Sequence, residues 1–217
     1  MSIEAVAIIG TGNVGANLGR QLAKAGVEVR FGVRPGKDIG ELVESITAAG
    51  GRAQVASPSE AAAGADAVLL AVPANAALDA AHSAGELSGK ILVDCTNPVR
   101  WDAGPVWNPP EAGSVSAALA EALPGARVVK AFNGFGAEFH ANPSVEGDTG
   151  ISLFMASDDA EAKADLSTLT SRAGFSPVDA GPLRNASVLE NTAILWIHLA
   201  TVGGQGRDFA LQKVTRR

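Results

Sequence analysis

A doubly wound α/β fold, with one parallel sheet covered by helices on both faces, is what this sequence predicts, and three observations predict it. Short apolar runs alternate with helix-spaced segments from residue 5 to residue 132. Some runs, residues 67–72 above all, have no polar break, as in strands buried on both faces. The first run also opens directly into a glycine-rich turn and an amphipathic helix.

Residues 5–34 form one strand-helix-strand unit: the run AVAII, the turn, the helix, and a second apolar run at 27–33. The turn is Gly10-Thr11-Gly12-Asn13-Val14-Gly15, a match to G-x-G-x-x-G with a strand before it and a helix after it. In that setting Gly10 lets the chain turn tightly, Gly12 lets a pyrophosphate approach the backbone, and Gly15 lets helix and strand pack closely. The pyrophosphate then rests on unpaired N–H groups at the positive end of the helix dipole. A Rossmann-type dinucleotide site is the expectation.

The end of the second strand indicates which dinucleotide. NAD sites usually carry Asp or Glu about 20 residues after the turn to bind the ribose 2′-hydroxyl. Here the positions are Phe31, Gly32, Val33 and Arg34, with Lys37 one short loop further on. Arg34 can form a charge-assisted pair with a 2′-phosphate, so NADP(H) is favoured over NAD.

The remaining elements follow in order. Residues 38–49 have helical spacing and 53–56 make a third strand. Ser57-Pro58-Ser59-Glu60 is a helix start, with Ser as cap, Pro at the first position and Glu closing a capping box. A fourth strand at 67–72, a helix at 75–87 and a fifth strand at 91–95 come next. Residues 96–113, TNPVRWDAGPVWNPPEAG, are expected as a long loop of the kind that acts as a lid or binding segment. A helix at 114–123 and a sixth strand at 127–132 complete the main sheet. Beyond it the rhythm changes: strands at 151–156 and 175–178 flank a helix at 159–172, and 184–202 is the longest helical segment. Its stripe of Val188, Leu189, Thr192, Leu195, Trp196 and Leu199 is expected to face the core or another subunit. The division expected is a dinucleotide-binding domain at 1–136 and a small C-terminal α+β extension at 137–217 that closes the acceptor crevice.

Composition narrows the partners. Net charge is −6, from 17 Lys and Arg against 23 Asp and Glu, and there is no long basic run, so nucleic-acid binding is not expected. The basic tail residues Lys213, Arg216 and Arg217 fit a solvated terminus. No apolar run reaches the roughly 18 residues that span a bilayer, and the first residues lack the features of a signal peptide. One cysteine, Cys95, excludes an intrachain disulfide and fits a cytoplasmic location.

In such a sheet, ligands bind beyond the carboxyl ends of the strands. Asn75, Asn97 and Asn133 lie at three of those ends and offer neutral donors and acceptors. The absence of Tyr removes a tyrosine general acid, and His82, His140 and His198 with Cys95 are too scattered for a metal cluster. No catalytic acid or base stands out. That suits an acceptor that takes hydride directly.

The segments IIGTGNVGANLGRQLAKAG, VDCTNP and PGARVVKAFNGFGA, with ILWIHLA and GRDFAL later, together resemble the coenzyme F420-dependent NADP oxidoreductases over nearly the whole chain. The resemblance implies hydride transfer between C4 of NADPH and C5 of the deazaflavin F420, achieved by positioning. It implies that Thr11, Asn13 and Val14 touch pyrophosphate or ribose, and that Arg34 and Lys37 bind the 2′-phosphate. Val72, Pro73, Asn97 and Ala131 would line the nicotinamide side; Asn133, Gly134, Phe135, Gly136 and Ala137 would face the deazaflavin. Val33 stands where members commonly carry Ser, and Asn133-Gly134 where some carry His-Thr. Related domains serve other flavins, including the cytoplasmic part of membrane ferric reductases. Alternatives are NADPH-dependent reduction of a flavin or small imine or carbonyl compound, and a non-catalytic NADP-binding sensor. A homodimer is expected.

Overall fold

The computed structural model describes residues 2–145 and 149–216; Arg217 of the basic tail lies outside them. From the N-terminus, β1 (Ala5–Ile9) leads through the glycine turn into α1 (Asn13–Lys24) and β2 (Glu28–Gly32). Then come α2 (Gly40–Ala48), β3 (Arg52–Ala56), α3 (Pro58–Ala63) and β4 (Ala67–Leu70). A 3-10 turn (Ala74–Ala76) opens α4 (Ala77–Ser83), which is followed by β5 (Ile91–Asp94). The strands β6 (Val99–Trp101) and β7 (Pro105–Trp107), the helix α5 (Val115–Ala122) and β8 (Arg127–Lys130) come next. The last part holds α6 (Ala137–Ala141), β9 (Ser144–Val145), β10 (Thr149–Gly150), β11 (Ser152–Met155), α7 (Ala160–Arg172), β12 (Ser176–Asp179) and α8 (Ala186–Ala200).

Six strands pair in the order β3-β2-β1-β4-β5-β8, all parallel. The order reverses between β1 and β4, which puts the glycine turn at the topological switch point. Successive β1 residues serve opposite layers: Val6 and Ile8 pack with α1 and α2, Ala7 and Ile9 with α3 to α5. The first layer continues past residue 136, since Phe132, Phe135, Leu166 and Phe175 share one cluster with Leu18 and Phe31. The parallel pair β11–β12 is set against the edge of β8 by antiparallel hydrogen bonds between Lys130 and Ala156.

Local signals account for most boundaries. Ser57 and Glu60 form the reciprocal capping box at α3, and Ser114 and Asp159 cap α5 and α7. Gly85, at φ +80°, stops α4 well short of residue 87. The strand expected at 127–132 ends at Lys130, because Phe132 adopts φ +62° and leaves the β region.

The clearest departure is 96–113, which is not a long loop. Val99–Trp101 and Pro105–Trp107 pair as an antiparallel hairpin, closed by Asp102 N–H to Gly104 O at 2.8 Å with Ala103 at φ +51°. The prolines around these short strands hid the alternation. The apolar stripe expected on α8 also splits, since Leu189 and Trp196 are buried while Val188 and Leu195 are exposed. Among the described residues no helix is long and apolar enough to cross a membrane.

Candidate functional site

The glycine turn combines a tightly packed bend with open space over the start of α1. Gly10 has φ +104°, and a Cβ there would lie 2.3 Å from the Ala71 carbonyl oxygen, so only glycine fits. Gly15 is buried against the same turn: its Cβ would lie 1.9 Å from the Gly10 carbonyl oxygen. Gly12 differs, because a Cβ added to it meets nothing within 4 Å. Gly12 is the N-cap of α1, no side chain caps the helix, and its first turn carries no acidic residue. Thr11 and Val14 are half-buried and Asn13 is exposed around that opening. Open space over uncapped helix N–H groups is what a pyrophosphate needs. The dinucleotide therefore fits.

Beyond β2, Val33 N–H bonds to the Ala56 carbonyl, and residues 34–37 form a tight turn. Lys37 N–H donates to Arg34 O at 3.1 Å, with Pro35 second and Gly36 third at φ +80°, a type II turn. Arg34 and Lys37 thus stand at its two corners, both exposed. Among the described residues no carboxylate pairs with either.

Beyond the ends of β4 and β5 lies an open cavity of about 630 Å³. Pro73, Asn75 and Asn97 line it with Arg100 and Asn108 of the hairpin segment and Val115 at the start of α5. Arg100 is the one ionisable side chain in that lining. Val72 is half-buried beside the turn, its Cγ1 2.9 Å from where a Gly10 Cβ would be.

At the end of β8 the expected acceptor-side residues are mostly turned inward. Asn97 Nδ2 donates to Asn133 O at 2.8 Å and Asn133 Nδ2 to Asn97 Oδ1 at 2.9 Å; Asn133 Nδ2 also donates to Leu189 O at 3.0 Å. Asn133 is buried and ties β5, β8 and α8 together. Ala131 and Gly136 are buried, and the Phe135 ring packs in the core 4.8 Å from the His140 ring and 6.1 Å from Phe175. Gly134 and Ala137 are half-exposed, and Asn17 of α1 donates to Ala137 O at 2.8 Å.

His140 accounts for the strained Phe132. Its Nε2 donates to the Phe132 carbonyl at 2.9 Å, and burial lowers its pKa, so the neutral ring holds a bulky residue in the left-handed region. Burial pushes the Cys95 thiol well above the ordinary range, so it is an inert core residue.

Sequence reasoning missed one cluster entirely. Lys130, Asp94 and Glu190 are each fully buried and meet under the crevice, Lys130 Nζ lying 2.9 Å from Asp94 Oδ2 and 3.3 Å from Glu190 Oε1. Glu190 also accepts the Trp107 indole N–H at 2.9 Å, anchoring the hairpin. The available signal was a charge inside an apolar strand run, ILVD and RVVK, and a lone Glu within an apolar helix.

Residues 5–98 match the family described as NADP oxidoreductase, coenzyme F420-dependent. The F420-dependent NADP reductase of Methanothermobacter marburgensis is 31% identical over 205 residues, spanning 88% of this chain and 89% of that protein. The chain belongs to this family. A crystal structure from Arthrobacter sp. FB24, described there as a candidate F420-dependent NADP-reductase, superposes with TM-score 0.84 at 29% identity, covering 99% of this chain and 100% of that one. The rat (Rattus norvegicus) metalloreductase STEAP3 is 31% identical over 186 residues, 85% of this chain, and this chain spans about a third (35%) of its length. The protein is an NADP-dependent oxidoreductase on a Rossmann-like α/β fold.

Proposed function

We propose that this protein transfers a hydride between NADPH and coenzyme F420. NADPH supplies that hydride from C4 of its nicotinamide. The observation that carries the reading is the pairing of an open anion cradle with an adjoining crevice whose lining has no carboxylic acid, His, Cys or Tyr. An imine or carbonyl acceptor needs a proton donor beside the reacting carbon, whereas a deazaflavin spreads the added charge over its own ring system.

In this reading the chain's own groups bind, orient and exclude water. The Gly10–Gly15 turn holds the pyrophosphate on the α1 N–H groups, with Thr11, Asn13 and Val14 against it, and Arg34 and Lys37 clamp the 2′-phosphate beside Val33. Val72, Pro73, Asn97 and Ala131 back the nicotinamide. The acceptor enters the cavity between Asn97 and the hairpin, and Gly134 and Ala137 are the accessible points of the 133–137 segment. The C-terminal part, residues 137–217, closes that side, and a homodimer is the proposed assembly.

Arg34→Ala tests the cofactor half of the reading. It is expected to weaken NADPH binding by roughly 10-fold or more and leave NADH nearly untouched, because a hydrogen bond to a charged group contributes about 1.5 to 3 kcal/mol. Equal losses for both nucleotides would show that Arg34 does not meet the phosphate.

A further inference from the structure

Lys130 directs its three protons to three acceptors: Asp94 Oδ2 at 2.9 Å, the Thr96 carbonyl at 2.5 Å and Glu190 Oε1 at 3.3 Å. Asp94 also accepts from Thr96 N–H at 2.9 Å and Ser116 Oγ–H at 2.6 Å. Glu190 also accepts from Val115 N–H and from the Trp107 indole, both at 2.9 Å. A charged lysine with both carboxylates ionised gives every one of these contacts a donor and an acceptor. In that state the cluster holds two negative charges against one positive charge, with all three side chains fully out of water.

Burying such a set is costly, and well-packed apolar residues would often hold the same elements together at least as well. The charge calls for a use, and its place indicates one. Thr96 directly precedes Asn97, Ala131 directly follows Lys130, and Val115 both lines the cavity and donates to Glu190. The surplus negative charge thus sits one residue behind the wall that faces the crevice.

We propose that the buried Lys130–Asp94–Glu190 cluster is an electrostatic positioning element that favours oxidised, cationic nicotinamide over its reduced, neutral form. This rests on the reading that puts the nicotinamide against Asn97, with Ala131 buried behind it. The ring carries positive charge only in NADP+, so a fixed negative charge behind the wall, weakly screened in the interior, favours that state. The same preference eases departure of hydride from NADPH. Asp94, Lys130 and Glu190 touch neither reactant and act through the field.

The test is a binding titration that needs no turnover. NADP+ and NADPH are titrated separately into wild type, Glu190→Gln and Trp107→Phe at one pH and ionic strength. Glu190→Gln removes the surplus charge and should raise the ratio Kd(NADP+)/Kd(NADPH) about tenfold. Trp107→Phe loosens the hairpin with the charge in place, and should leave that ratio within about twofold. An unchanged ratio in folded Glu190→Gln, or an equal shift in Trp107→Phe, overturns the proposal. Asp94→Asn repeats the charge change from the sheet side if the first variant does not fold. Arg34→Ala, run alongside, should weaken both nucleotides equally; if it does not, the placement of the cofactor has failed rather than the electrostatics.

Discussion

Gly12→Val separates the cofactor site from the fold. A Cβ at Gly12 meets nothing within 4 Å, and the backbone there is extended at φ −75° and ψ −171°, which a valine adopts without strain. The folding cost is then that of a poor N-cap, about 1 kcal/mol, or a fall in Tm of about 2 to 4 °C for a chain of this size. The isopropyl group fills the space over the α1 N–H groups. Displacing a pyrophosphate from even one of them loses about 1.5 to 3 kcal/mol, so NADPH affinity should fall roughly 10- to 150-fold. Titration by NADPH fluorescence, with a melting curve on the same sample, reads both numbers. Gly10→Ala gives the opposite pattern: its added Cβ sits 2.3 Å from the Ala71 carbonyl at φ +104°, so the fold itself should fail. Gly12→Val that binds NADPH within about twofold of wild type would refute the cradle.

Two further outcomes concern stability. Gly19→Ala puts a Cβ 2.3 Å from Phe31 Cζ where α1 crosses β2, and should destabilise by about 1 to 3 kcal/mol in urea unfolding; a neutral result would mean the contact is slack. Asp159 accepts two hydrogen bonds from Arg127 and one from Ala162 N–H, which hold its pKa at about 2. Its stabilisation is therefore present in full above about pH 4, near its unfolded pKa, and is lost as pH falls through about 2. Because the pair is partly exposed, Asp159→Asn, which keeps the helix cap, should cost about 1 kcal/mol at pH 7. Melting curves of the variant and wild type should draw together as pH falls through about 2 and meet only below it; a gap that persists at about pH 1 would assign the loss to packing.

Local patterns made the sheet legible. The glycine turn, the Ser57 capping box and the unbroken strand at β4 are short-range features, and each maps onto one element of the fold. Gly19 was harder to see: its role is set by Phe31 on the neighbouring strand, and nothing in the helix sequence names that partner. The candidate site's local geometry was legible where neighbouring residues make it: the glycine turn precedes α1, and Arg34 and Lys37 share one exposed turn. It was not legible where distant residues meet. The sequence places Asn97 and Asn133 at neighbouring strand ends as groups open to a ligand, yet 36 residues apart they bind each other. Asp94 and Lys130 occupy adjacent strands in register, and Glu190 arrives from α8 to complete a charge cluster that no spacing encodes.

The most direct measurement mixes purified protein anaerobically with NADPH and oxidised F420 in a stopped-flow spectrometer, with free flavin in place of F420 as the comparison. The proposed function predicts rapid bleaching of F420, slowed when NADPH carries deuterium at the transferred C4 position, and little change with free flavin. Tight NADPH binding with no F420 bleaching would contradict it and move the acceptor elsewhere.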